Sequence, residues 1–368
     1  MSDPRRPSAA APYGPGRGAT QAPAPRFLRV ISAETPEGRF DDGWGADEAA
    51  TTRQTVVTFE HTRSPLSTND SPDLPFSASL NPYKGCEHGC IYCFARPTHA
   101  YLDLSPGIDF ETRLVAKPEL PQALRTLFRK PSWRPQVIAL GANTDPYQPI
   151  EREQGLSREV LEVMQEFQNP VAIVTKNNLV VRDLDLLVPL AKAQLAHVFV
   201  SVTTLDRGLA RKMEPRAATP EKRLEAIATL ARAGVPVGVM ASPMIPGLND
   251  AELDRILEAA RQAGARSAAY IMVRLPLELK ALFEGWLDTH YPERKTKILN
   301  LIRQVRGGKL YDAQWGSRMR GEGVYADLLR HRFEAAERRL GFGVLPPLRT
   351  DLFRVPAASG DQLSLFGR

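Results

Sequence analysis

Cys86, Cys90 and Cys93 are all the cysteines in the chain, and they fall within one stretch, "NPYKGCEHGCIYCFAR" (81–96). The spacing, three residues and then two, gathers soft sulfur ligands on a single short loop. Thiolates placed this way can hold three corners of an iron–sulfur cubane and leave the fourth iron open to a substrate or cofactor. A structural zinc site needs four protein ligands. His88 or His99 could complete a Cys3His set, although neither gives ordinary zinc-finger spacing. A redox sensor, or thiols that are simply buried, is the third reading.

The loop needs elements to hold it. From about residue 78 short β-rich runs alternate with amphipathic helical ones. The strand candidates are 77–83, 136–141, 171–176, 197–202, 235–241 and 267–273. Helical patterns occupy 118–130, 157–168, 182–193, 219–234 and 249–264. Thr219 reads as an N-cap with Pro220 at the first helical position, Asn249 as the cap of the next helix, and Gly234 and Gly264 as residues just past helix ends. Six strands in such alternation predict α/β architecture, an incomplete (β/α)6 barrel with a parallel sheet, since two further strands for closure are not found. Chemistry in this class sits beyond the carboxyl ends of the strands. That rim would bring the three thiols together with Asn143, Thr144, Asp145, Lys176 and Ser201.

These residues carry a resemblance. A C-x3-C-x2-C loop with Tyr92 before its last cysteine, followed by six βα units, resembles the radical S-adenosylmethionine (SAM) superfamily over roughly 78–315. Within it, "NPYKGCEHGCIYCFAR" and "NTDPYQPIE" are similar to the spore-photoproduct-lyase-like, "DNA repair photolyase" branch. The resemblance implies a 4Fe–4S cluster on Cys86, Cys90 and Cys93, with SAM chelated to the open iron. An electron from an external donor would cleave the cofactor to methionine and a 5′-deoxyadenosyl radical, in lyase-like or hydrogen-abstracting chemistry. It also implies that Thr144 and Asp145 meet the cofactor's methionine end, that Lys176 meets its carboxylate with Ser201 close by, and that Tyr92 packs beside the adenine. The plain alternative is that these polar residues cap helices or solvate strand ends. One departure stands out: spore photoproduct lyase uses a further cysteine to return hydrogen to its product radical, and this chain has none. Tyr147, Tyr270 or Tyr311 could relay hydrogen instead, though buried tyrosines that only pack are commoner.

The remaining sequence bounds location and partners. No run approaches the roughly 18 apolar residues of a membrane span, and the chain is 43% hydrophobic and 24% charged, as in soluble globular proteins. Arg5-Arg6 is followed by a Pro/Ala/Gly-rich stretch with no hydrophobic region, which argues against export. Three clustered cysteines suit a reducing cytoplasm. We expect a largely disordered extension over 1–75, a barrel over 76–315, a helical extension over 316–358 and a flexible tail over 359–368. Net charge is +6, and 291–340 carries twelve Lys/Arg against six Asp/Glu, interspersed with Tyr291, Tyr311, Trp315, Tyr325 and Phe333. That mixture suits a nucleic-acid surface, DNA first, or equally a solvated helical cap on the barrel. In the tail, "QLSLF" resembles the peptide by which bacterial repair and replication proteins dock on the DNA polymerase sliding clamp, with Gln362, Leu363, Leu365 and Phe366 as contacts. The leading function is therefore a radical SAM enzyme acting on nucleic acid, in DNA repair or base modification. A radical enzyme modifying RNA, protein or a small metabolite, or a zinc-stabilised nucleic-acid adaptor without catalysis, is the alternative.

Overall fold

The structure, a computed structural model, describes residues 41–44, 55–62 and 64–357. Ten strands are β1 (Val56–Phe59), β2 (Ser67–Thr68), β3 (Ala78–Leu80), β4 (Tyr83–Lys84), β5 (Arg113–Ala116), β6 (Ile138–Leu140), β7 (Val171–Thr175), β8 (Ala196–Ser201), β9 (Val237–Met244) and β10 (Ser267–Met272). β3, β6, β7, β8, β9 and β10 pair in that order, all parallel, and β2 adds an antiparallel edge on β3. β10 and β3 stand at opposite ends without pairing, so the sheet is the open α/β barrel expected.

The crossover helices pack on one face of this sheet. Leu156–Phe167 buries Val160, Leu161, Met164 and Phe167 in the same core as Val171 and Ile173. Spacing of three and four residues puts these apolar groups on one stripe of the helix, while alternation selects one face of the strand. The helix Pro220–Arg232 begins where the sequence predicts: Thr219 accepts from Lys222 N, and Pro220 needs no donor at the first position. Gly234 and Gly264 follow helix ends with positive φ.

Asn249 differs from its expected role. Its side chain makes no cap; Oδ1 accepts from Ile245 N, and Nδ2 donates to Thr203 O and Pro243 O. It ties the ends of β8 and β9 together instead. The first expected strand also divides. β3 stops at Leu80, and Tyr83–Lys84 turns into a second sheet of order β1-β5-β4. Asn81 at the break accepts from the backbone N–H groups of Asn143 and Thr144, fixing the turn beyond β6. Gly141 opens that turn at φ +89, where a Cβ would lie 2.5 Å from Val174 O. Both β1 and β2 fall within 1–75, expected to be largely disordered, yet β1 pairs with β5 and β2 with β3.

After the helix Val324–Leu340, which lies along Leu253–Gln262, the chain is extended rather than helical. It crosses the amino-terminal edge of the barrel: Gly343 N donates to Arg266 O, Arg349 N to Gln194 O and Arg354 N to Phe167 O. Arg129 closes the path on Pro356 O. The "QLSLF" residues Gln362, Leu363, Leu365 and Phe366 lie outside the described residues.

Candidate active site

The cysteine loop leaves β4 at the carboxyl rim and is fastened on every side. Gln148 accepts from Glu87 N and donates to Gly85 O. Glu87 accepts from Ile150 N and pairs with Arg216 at 2.9 Å. Cys86 N donates to Phe110 O, Ile91 N to Met213 O, and Arg216 N to His88 O. Gly85 turns at φ +79 with no room for a side chain, since a Cβ would meet Leu114 at 2.6 Å. The largest tie is Arg96, fully buried, which donates to Gly89 O, Cys90 O, Pro106 O and Gly107 O and pairs with buried Glu111. Nothing local in "CFARP" distinguishes Arg96 from a surface arginine. Only the fold reveals it.

The rim residues converge as the topology predicts, but not all in the same role. Asp145 Oδ1 accepts from Tyr147 N and Thr175 Oγ1 (2.7 Å), and Oδ2 accepts from Lys176 N (2.8 Å) with His88 Nδ1 at 3.4 Å. Burial would raise its carboxyl, but His88 and these hydrogen bonds hold it down to about 2. Asp145 thus joins the ends of β6 and β7 and keeps little of itself for a ligand. Thr144 is likewise buried, with Oγ1 donating to Tyr83 O at 2.9 Å. Asn143 stands half-buried beside it.

Lys176 is the rim cation with reach. Its Nζ sits 3.4 Å from Ser201 Oγ, 4.0 Å from Glu214 Oε1 and 5.7 Å from the Tyr92 ring centroid. Ser201 Oγ donates to Ser242 O at 3.0 Å. Tyr92 donates to Glu214 Oε1, which also accepts from Thr203 Oγ1 (2.7 Å), while Arg223 pairs with Oε2. Glu214 and Arg223 are almost wholly buried and were not visible as site residues: "MEPRAATPEKR" reads as ordinary helix flanks. Together they lock Tyr92, and through it the cysteine loop, to the ends of β8 and β9.

The hydrogen-relay candidates separate. Tyr147 is fully buried and donates to Asp183, and Tyr270 packs its ring 4.8 Å from Phe333, behind the sheet. Tyr311 alone remains half-buried, in the turn after Lys295–Gln304. The basic segment separates too: Phe333 belongs to the core, Tyr325 binds Asp250, and Arg332 pairs with Asp254, whereas Trp315 is 55% exposed.

The donor set fits a cluster better than a zinc ion. Burial pushes all three thiols up, so they are neutral unless a cation displaces the protons. A cubane takes one thiolate per iron and spreads its donors wider than a tetrahedral zinc does. Both histidines have other work. His99 Nε2 donates to Arg113 O at 2.8 Å, and burial lowers its pKa to about 4. His88 Nε2 accepts from Asn177 Nδ2. Among the described residues, no helix is long and apolar enough to cross a membrane.

Comparison with known proteins agrees. The sequence profile of the Radical SAM superfamily matches residues 80–260. An uncharacterised protein of Mycobacterium tuberculosis is 37% identical over 253 residues, covering 67% of this chain and 74% of the relative. One from Methanocaldococcus jannaschii is 28% identical over 221 residues, 60% of this chain and 79% of that protein. In structure, spore photoproduct lyase complexed with dinucleoside spore photoproduct superposes with a TM-score of 0.57 at 15% identity, covering 78% of this chain and 80% of that one. A variant of that lyase with bound AdoMet and the same dinucleoside gives 0.57 at 15% identity, over 84% of this chain and 86% of that one. The zinc-adaptor alternative falls with these matches: the chain belongs to the radical SAM superfamily, whose enzymes use a 4Fe–4S cluster and SAM.

Proposed function

We propose that Cys86, Cys90 and Cys93 hold one 4Fe–4S cluster with an open iron for SAM, and that the enzyme acts on nucleic acid, in DNA repair or base modification. One observation carries the reading. The only three thiols of the chain sit on a loop clamped by Arg96, Gln148 and Glu87, and the Tyr92 ring of that loop lies 5.7 Å from the Lys176 ammonium at the carboxyl rim. When bound, the cluster and SAM would supply reductive, hydrogen-abstracting chemistry driven by an external electron donor; the protein would orient them and exclude water.

In this reading Lys176 offsets the buried charge of the SAM carboxylate, with Ser201 and Asn143 beside it. The Tyr92 ring bounds the adenine side. Thr144 and Asp145 act through the backbone they hold. Residues 76–315 form the catalytic unit, with 1–75 and 316–358 as extensions to it. The dinucleoside in the spore photoproduct lyase complexes and the +6 charge both favour a DNA substrate. Without a fourth cysteine, hydrogen must return to the product by another donor than in that lyase, with Tyr311 the rim candidate. Cytoplasmic residence and an external reductant complete the proposal.

Anaerobic reconstitution tests it. About four irons per chain, with release of methionine and 5′-deoxyadenosine on reduction, is the expected result. Zinc in place of iron overturns it. The "QLSLF" tail, residues 359–368, is proposed to dock on the sliding clamp. A peptide of residues 358–368 should bind the clamp at micromolar strength, about −8 kcal/mol. Replacing Leu365 and Phe366 with Ala should remove that binding.

A further inference from the structure

Phe94 follows Cys93 directly, and its side chain points outward, 42% exposed. The Arg274 guanidinium stands 5.0 Å from the centroid of its ring. Arg274 comes from the carboxyl end of β10, two residues past Met272, so two rim elements meet at this point. Among the described residues its one polar contact is a weak one, Nη1 to Met319 Sδ at 3.8 Å, and its Nε is buried without a partner. Among the described residues, no carboxylate forms an ion pair with it.

Arg306 lies close by, 2% exposed. Its Nη groups donate to Val273 O (2.8 Å), Met272 O (3.4 Å) and Ser317 O (2.9 Å), and its Nε has no partner either. Carbonyl oxygens orient this cation but do not neutralise it. Burial, then the neighbouring charge of Arg274, lowers its pKa to about 10. Three carboxylates lie nearby, Asp73 toward Arg274 and Asp312 and Glu322 toward Arg306, but among the described residues none forms an ion pair with either guanidinium. Asp73 binds Arg318 Nε and Gly316 N, and Asp312 binds Ser317 Oγ and Gln314 N. An under-neutralised pair of guanidiniums beside an exposed aromatic ring, next to the third cysteine, is a poor arrangement for stability alone. It is a good one for receiving an anion attached to a flat ring.

We propose that Phe94 and Arg274 form a nucleotide seat at the mouth of the cysteine loop: a base stacks on the ring of Phe94, and the adjoining phosphodiester is taken by Arg274, with Arg306 reinforcing the field behind it. This deepens the nucleic-acid reading and rests on it. Stacking on one aromatic face is tolerant of base identity, so the seat grips a strand without reading its sequence. It also presents the seated nucleotide to Cys93's side of the loop.

The test titrates the reconstituted full-length enzyme with a fluorescent single-stranded oligodeoxynucleotide at several salt concentrations. Arg274→Gln should weaken binding about tenfold and lower the salt slope by about one, as for the loss of one phosphate contact. Phe94→Ala should weaken it about tenfold with the slope unchanged, and Phe94→Trp should restore it. Arg134→Gln, an exposed arginine at the opposite end of the barrel, should change neither. If Phe94→Ala fails to fold, Phe94→Leu keeps the apolar bulk without the π face and gives the same reading. Wild-type binding with Arg274 and Phe94 variants unaltered in affinity and slope overturns the seat and leaves the nucleic-acid reading standing. No binding by the wild type removes that reading first, and the seat with it.

Discussion

Arg96 and Arg274 flank the same cysteine loop and behave oppositely. Arg96, inside, is fully buried and satisfied by four carbonyl oxygens and the Glu111 carboxylate. Arg274, outside, has an aromatic face, a thioether sulfur and an unpartnered Nε. A cation that is completely neutralised and hydrogen-bonded is architecture, because removing it strands a buried charge. A cation left short of partners at a rim is available to something that arrives. The inner wall of this site is fixed by the protein, and the outer wall is left for its substrate.

The comparison breaks first at the cysteines. Replacing Cys86, Cys90 or Cys93 singly with Ser should abolish the brown chromophore and SAM cleavage, and any one variant with full iron and full cleavage would end the cluster assignment. Next, Arg96→Met should destabilise the fold by about 3–5 kcal/mol in denaturant unfolding, because it breaks a wholly buried ion pair and takes the arginine counter-charge from Glu111. Adding Glu111→Leu should recover much of that loss. Arg274→Gln should shift stability by no more than about 0.5 kcal/mol, and a large loss there would make it architecture as well.

Smaller effects sharpen the division among rim residues. Lys176→Met should weaken SAM binding by about 1.5–3 kcal/mol, as for lost hydrogen bonds to a charged group, with iron content retained. Asp145→Asn should lower stability by about 1–3 kcal/mol, since a carboxamide cannot accept from Thr175, Tyr147 and Lys176 N as a carboxylate does. Equal SAM affinity losses in both variants, measured by titration, would show that Asp145 touches the cofactor after all. Tyr92→Phe should be mildest, about 1 kcal/mol of stability, because Thr203 and Arg223 still satisfy Glu214.

The barrel strands are legible in sequence because each is a short apolar run bounded by turn residues, and five of the six predicted runs overlap one observed strand each. The sixth, 77–83, spans a corner that its own residues do not announce. Asn81 breaks it by accepting two backbone bonds from the β6 turn, a tertiary event. Asn249 had the composition of a helix cap but found better partners in Thr203 and Pro243. The placement of the cysteine loop and Lys176 on one rim could be read because thiols are scarce and strand ends are where ligands sit in this class. Arg96, Glu214 and Arg223 could not, since a buried charge looks like a surface one until the fold supplies its counter-charge.

The extended segment after Leu340 crosses under the barrel and ends near Arg129, on the edge where the strands begin. Ala357 therefore lies at the pole opposite the cysteine loop. A partner that grips the molecule there acts as a mooring whose rope is tied to the stern. It can decide where the enzyme waits without crowding the bow, so residence on a partner and turnover at the rim need not compete for the same surface.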